Sequence, residues 1–336
     1  MKKWLLFLIK LGLTVACLYW AFSQDDLRKK LSESSTFWPE HPKWAWAVIG
    51  VLFGGGAIFV SALRWWILLR AQDVHVSLRR VVELTLIGSL FNFATVIGGD
   101  AAKIFLLIRD HRDKKLAVTM SVMVDHLAGL VSMAMTFLLV TAGRFQSLEA
   151  HTVLEHGALK FAWFYFVGGL VFVALLFVMA SPWVHGRIHK PGKKMRWEIV
   201  RRVPEIYDIY RRKWKHALVA LVVSFVMLPV YYATFWCGVK FAGDPASFMQ
   251  VFAVMPVVDA ISGMPFSIQG IGVREVFFAE LMNGLYGTSA GVTVLGSLVG
   301  FACSLVWAAL GGILFLRPSD RTPMKEMEEV THAEAQ

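Results

Sequence analysis

The chain is 336 residues long, 57% hydrophobic and only 17% charged, with a formal net charge of +10. Soluble domains are about 45–50% apolar and about 25% charged, so this composition excludes a soluble enzyme and, outside the polar C-terminal stretch, a disordered chain. The three cysteines, Cys17, Cys237 and Cys303, all lie in apolar runs, which excludes a disulfide-stapled secreted domain.

A membrane-spanning helix takes about 20 predominantly apolar residues. In chain order the sequence offers six such segments, at 4–22, 44–63, 117–141, 159–180, 216–239 and 290–316. The first follows Met1-Lys2-Lys3 and reads as a signal anchor, because its apolar run is long for a cleaved signal and Lys10 interrupts it. Two further apolar stretches, 81–108 and 248–283, are broken near their middles by glycine and charge. Cytoplasmic loops carry an excess of Lys and Arg. With the N-terminus inside, most of the 34 basic residues fall in the loops that would be cytoplasmic, above all in 185–215. The basic charge is therefore a topology signal, with both termini cytoplasmic, and no argument for nucleic-acid binding.

The same distribution interprets the broken stretches. Arg79 and Arg80 precede 81–108, and Arg109, Arg112, Lys114 and Lys115 follow it, so both of its ends want the cytoplasmic side. It is too short to cross twice. Both ends of 248–283 fall outside by parity. The sequence thus predicts two re-entrant hairpins of half-helices entering from opposite faces. The order span, span, hairpin, span then recurs with inverted direction, in half-repeats of about 1–142 and 159–317. Inverted repeats with discontinuous helices place binding sites near the bilayer midplane. The predicted fold class is an all-α polytopic membrane protein: a single transmembrane domain over 1–317, about six spans plus two re-entrant hairpins, and a disordered cytoplasmic tail over 318–336.

The breaks carry the chemistry. The first reads Gly98-Gly99-Asp100-Ala101-Ala102-Lys103 and the second Gly270-Ile271-Gly272-Val273-Arg274-Glu275. Glycine permits the turn, Asp100 is a suitable N-cap for the returning half-helix, and Gly272 caps the other with Glu275 at its third position. Helix N-termini attract anions. Two such ends with Lys103 and Arg274, beside Gly99, Asp100, Gly272 and Glu275, suit a phosphate-bearing headgroup in a polar pocket where the hairpins meet. The alternative is that the two cations only pair with Asp100, Asp125 or Glu275 to hold the hairpins. Asp125-His126, inside the span 117–141, belongs either to the site and a proton path or to a lock formed by Asp125 with Lys103. Asp259 lies in the inward arm of the second hairpin, and buried carboxylates of this kind are candidates for proton or ion-pair roles. Arg64-Trp65-Trp66 and Arg70 read as an interfacial anchor ending the second span. Segment 197–214 reads as an amphipathic helix on the anionic leaflet. His185 and His189 lack a third ligand, so no metal site and no cofactor is expected. No phosphate-binding loop, zinc cluster or nucleophile elbow occurs, so the chain is not expected to be an enzyme.

Leu63-Arg64-Trp65, Gly98-Gly99-Asp100, Asp125 and the run from Pro265 to Glu275 resemble the lysylphosphatidylglycerol synthase transmembrane region, the flippase-like domain of multiple peptide resistance factors. The resemblance covers about 5–317. Lys103 stands where that pattern often has Arg, Asp125-His126 replaces an Asp-Arg pair, and Gln269 replaces a glycine. The resemblance implies a bacterial inner-membrane protein that translocates a phospholipid or lipid-linked substrate. The aminoacyl-transferase domain does not appear in the sequence, so lysyl-lipid synthesis is not expected. A second reading is a non-transporting accessory subunit for a glycosyl- or aminoacyl-transferase, and a homodimer or a partner membrane transferase is the expected assembly.

Overall fold

The computed structural model describes residues 41–92, 98–142, 153–180, 209–264 and 269–316. Their regular structure is all helical: α1 Trp44–Ala71, α2 Leu78–Asn92, α3 Gly98–Asp110, a 3₁₀ turn at Arg112–Lys114, α4 Lys115–Ala142, α5 Val153–Ala180, α6 Trp214–Phe241, α7 Phe248–Ser262, α8 Val273–Tyr286 and α9 Ala290–Phe315. Five of these helices are long and apolar enough to cross a membrane. They match five of the six spans read from the sequence. The first, 4–22, lies outside the described residues, as do the tail and most of 197–214.

Both broken stretches fold as pairs of short helices, of 15 and 13 residues in the first and 15 and 14 in the second. At 1.5 Å per residue each arm is roughly 20–23 Å long, too short to cross about 30 Å of hydrocarbon. The arms of the first hairpin touch through backbone. A Cβ on Gly99 would overlap the Gly88 carbonyl and the Asn92 amide oxygen. In the second, a Cβ on Gly270 would sit 2.8 Å from Ser262 Cβ, and Gly270 has a φ of +75° that disfavours any side chain.

The frame is the antiparallel pair α1 and α6. At one end Trp44 packs edge-on to Phe241. At the other, Gln72 Nε2 donates to the Tyr210 hydroxyl at 3.0 Å, and Lys213 pairs with Asp73 at 2.7 Å, which holds the Asp73 carboxyl below its ordinary range. The helix α9 lies parallel to α1, because Cys303 packs at Gly50 and Trp307 Nε1 donates to the Val51 carbonyl at 2.7 Å. It lies antiparallel to α6, with Gly238 against Gly296 and Phe235 against Gly300. The small residues 296 and 300, four apart, let these backbones touch.

The second half repeats the first in the opposite direction with a close register. The helices α1 and α6 are both 28 residues and start 170 positions apart; α2 and α7 are both 15 residues and again start 170 apart. The intervening turns share three features. Trp66 Nε1 donates to the Val76 carbonyl at 2.9 Å, and Trp236 Nε1 to the Ala246 carbonyl at 3.2 Å. Asp73 and Gly243 both take positive φ, +58° and +92°. Arg70 lies over Trp66 at 4.3 Å and Lys240 over Trp236 at 6.0 Å.

One expectation is corrected. The helix read as ending near residue 63 runs on to Ala71. Arg64 does not mark the water interface, because its charge is neutralised inside the protein.

The tight backbone contacts give a stability test. Gly238→Val is expected to destabilise the detergent-solubilised protein by about 3 kcal/mol or more through overpacking, whereas Gly168→Ala, with nothing within 4 Å of the added carbon, leaves the thermal midpoint unchanged or slightly raised.

Candidate functional site

In the first hairpin α3 begins at Gly98 and runs back toward its base, where Arg80 pairs with Asp110 at 3.2 Å. Asp100 is not the N-cap. That task falls to Asn92, the last residue of α2, whose side-chain oxygen accepts from the Gly99 N–H at 3.0 Å. Asp100 instead sits in the first turn of α3. Its carboxylate pairs with Lys103 at 2.7 Å and with His126 of α4 at 3.1 Å. Lys103 also lies over the Trp65 ring, 5.3 Å from its centre. His126 is eleven residues into α4, so the start of α3 reaches roughly 16 Å along that helix.

Asp125 faces the other way and does not meet Lys103. Its oxygens accept from Arg64 Nε at 2.6 Å and Nη2 at 2.9 Å, a bidentate pair, while Arg64 Nη1 donates to Ser224 of α6 at 3.1 Å. Arg64 and Asp125 are both buried. This pair ties α1, α4 and α6 together beside the first hairpin. The neighbouring Trp65 indole donates to Ser121 at 3.0 Å.

In the second hairpin α8 starts after Gly272, whose φ of +86° requires glycine. Glu275 accepts from the Gly272 N–H at 2.6 Å and from the Ser297 hydroxyl of α9 at 2.9 Å. This is the capping arrangement read from the sequence. Arg274 is buried, with Nη2 donating to the Gln269 carbonyl at 2.9 Å and the guanidinium between the Phe235 and Phe301 rings at 5.5 and 5.4 Å. Asp259 of α7 lies near enough to feel the charge of Arg274 and sits beside Tyr232. Further toward the base, Ala279 packs on Ala290 and Val294 at the start of α9. The turn of this hairpin is therefore level with Ser297 to Phe301, roughly 10–17 Å down α9.

The bases of the two hairpins lie at opposite ends of the α1–α6 pair. Trp65 and Phe235, the rings beneath Lys103 and Arg274, are again 170 positions apart, so each returning helix lays a cation on the equivalent ring of its own half. The site residues form two groups. Gly99, Asp100, Lys103 and His126 stand together in the first; Gly272, Arg274, Glu275 and Asp259 in the second; Asp125 belongs to the Arg64 pair. Ser224, bound to the Arg64 pair, and Phe235, beside the second group, are 11 residues apart on α6, about 16 Å. In each hairpin one amide at the turn, Gly99 N–H or Gly272 N–H, is used by an internal cap.

Arg64, Asn92, Ser224, Ser262 and Tyr232 were not assigned to the site by sequence. For Arg64 a signal was present: the apolar run continues through Ile67-Leu68-Leu69 beyond it, and the facing span 216–239 carries Ser224.

The family model of the lysylphosphatidylglycerol synthase TM region matches residues 7–312, and the chain belongs to that family. A UPF0104 membrane protein of Pyrococcus horikoshii is 21% identical over 341 residues, covering 94% of this chain and 97% of that protein. No solved structure matches.

Removing one partner of a buried ion pair strands the other, which costs about 3–5 kcal/mol. Arg64→Leu and Asp125→Leu should each lower stability by that amount, and the double variant should recover most of the loss. Chemical denaturation in micelles measures the cycle; additive losses would contradict the pairing.

Proposed function

We propose that this multi-pass membrane protein is a lipid translocase. The observation that carries the reading is the pair of half-helix hairpins based at opposite ends of one helix frame, each starting its return with a cation laid on an aromatic ring. Backbone that turns inside a bilayer must be sheltered by protein or face an aqueous cavity, and inverted repeats with broken helices are the architecture of alternating access. The frame is one transmembrane domain over 1–317, with half-repeats of about 1–142 and 159–317. The substrate is an anionic phospholipid or lipid-linked headgroup, held by Arg274 and Lys103, while its acyl chains stay in the lipid around the apolar outer faces of α1, α5 and α6. The protein performs no covalent chemistry. Asp100 and Asp259 compete with the substrate for the cations, while Glu275 holds the turn of the second hairpin.

Family membership supports this reading at the level of a membrane protein related to a lipid synthase. The location proposed is a bacterial inner membrane, and the Lys and Arg bias supports an orientation with the base of the first hairpin on the cytoplasmic side.

Two experiments test the proposal. Cysteines at the exposed positions Asp113 and Ser289 should be labelled from opposite sides of sealed cells, Ser289→Cys from outside and Asp113→Cys only after permeabilisation; same-sided labelling would break the topology. In proteoliposomes the protein should accelerate transbilayer movement of a fluorescent phosphatidylglycerol, and Arg274→Ala and Lys103→Ala should each slow it at least tenfold. Movement at the protein-free rate would refute translocation, and unaltered rates in both variants would refute the assignment of the cations.

A further inference from the structure

Buried polar side-chain atoms in a folded protein almost always have partners, and each exception calls for an explanation. Among the described residues four such atoms have none: Nε and Nη1 of Arg274, the Tyr232 hydroxyl and the Ser262 hydroxyl. They belong to one place. Tyr232 is on α6, Ser262 closes α7 and Arg274 opens α8. Gly270 touches both Ser262 and Arg274: a Cβ there would lie 2.8 Å from Ser262 Cβ and 3.3 Å from Arg274 Nη2. Asp259, about one turn before Ser262, interacts with the Tyr232 hydroxyl, though not within ideal hydrogen-bond geometry, and feels the charge of Arg274.

The burial is deep. Arg274 is 7% exposed, Ser262 5% and Tyr232 0%. A guanidinium has five N–H donors. Here Nη2 serves the Gln269 carbonyl, which leaves the one donor on Nε and the two on Nη1 unused. Phe235 and Phe301 flank the cation. They lower the local dielectric and raise the cost of the unpaired charge. Every orphan is a donor or can act as one. A cluster of that kind is complementary to an oxygen-rich anion, and phosphate is the oxyanion that Arg recognises with strong charge-assisted bonds.

The contrast with the first hairpin sharpens the point. Lys103 stands on the equivalent ring, but Asp100 has already taken it at 2.7 Å. Glu275, the acid nearest in sequence to Arg274, is spoken for by Gly272 N–H and Ser297. Among the described residues Asp259 makes no ion pair within 4.0 Å, so the second hairpin alone offers an uncommitted cation among the two.

We propose that the inner end of the second hairpin is an oxyanion site for a phosphate group, held by Arg274 Nε and Nη1 with the Tyr232 and Ser262 hydroxyls, and that Asp259 is its built-in competitor, which occupies the same donors when phosphate leaves. The site rests on the translocase reading only for the source of the phosphate, a lipid headgroup rather than a soluble ester. Its donors are supplied by this chain whatever the source.

The test is binding to the purified full-length chain, measured by native mass spectrometry from micelles. The probes are palmitoyl-oleoyl phosphatidylglycerol, the matching diacylglycerol without phosphate, and sn-glycerol 3-phosphate in the aqueous phase. The wild type should hold phosphatidylglycerol at least tenfold more tightly than diacylglycerol. Arg274→Gln should abolish that preference, Arg274→Lys should restore part of it, and Tyr232→Phe should weaken it about threefold. Asp259→Asn should tighten binding several-fold, an outcome that a purely structural carboxylate would not give. Arg79→Gln, at the exposed base of the first hairpin, serves as the neutral control. Equal retention of diacylglycerol, or an undiminished preference in Arg274→Gln, overturns the site. Glycerol 3-phosphate binding as tightly as the lipid overturns the lipid source and leaves the oxyanion site standing. Selective binding without any transbilayer movement refutes translocation alone.

Discussion

A chain that turns back inside a hydrocarbon layer must satisfy its own backbone there, because no water is at hand to do it. The rest of this structure follows from that constraint. Each hairpin breaks a helix and exposes N–H groups, and each break is closed from within: Asn92 takes the Gly99 N–H, and Glu275 takes the Gly272 N–H. The arms can be this close only because glycine stands where they meet. Around them the long helices supply the shelter. The approach of α6 to α9 at Gly238 and Gly296, and of α2 to α9 at Leu86 and Gly311, is backbone against backbone. Such contact depends on dispersion, which in lipid replaces the hydrophobic effect as the force between helices.

Buried charge is distributed unequally on this frame. Arg64 and Asp125 neutralise each other with two short hydrogen bonds and a third to Ser224, which makes them a clamp. Lys103, Asp100 and His126 form a second satisfied set. Arg274 is different in kind, with one hydrogen bond to a carbonyl and two aromatic neighbours. The protein has invested the same geometry twice, once per half, and left only one copy electrostatically incomplete.

Much of the architecture was legible in the sequence. Length and hydropathy gave the five spans that the described residues contain, and the Lys and Arg bias marked the two broken stretches as turning back. The glycine-charge breaks at Gly98–Lys103 and Gly270–Glu275 marked the hairpins. The Glu275 cap followed from spacing alone. Partner identity was not legible, because it depends on which faces of distant helices meet. Asp125 had Lys103 as its obvious cation, 22 positions away, yet helix α4 turns it toward Arg64, 61 positions away. Arg64 looked like an anchor because a cation beside two tryptophans usually is one. Asp100 looked like a cap because aspartate at a glycine turn usually is one, and Asn92 could be recognised only once α2 was known to end beside α3. The single polar pocket expected between the hairpins resolves into two groups because each returning helix docks on the long helix of its own half.

The most direct test of the central claim is the depth of the turns. Spin labels at Leu78, Asn92, Phe248 and Ser262, in nanodiscs, report immersion by power saturation with oxygen and a water-soluble nickel chelate. Asn92 and Ser262 should lie deeper than the bases Leu78 and Phe248, with the two bases nearest opposite leaflets. A depth profile that runs from one surface through Asn92 or Ser262 and on to the far surface would contradict it.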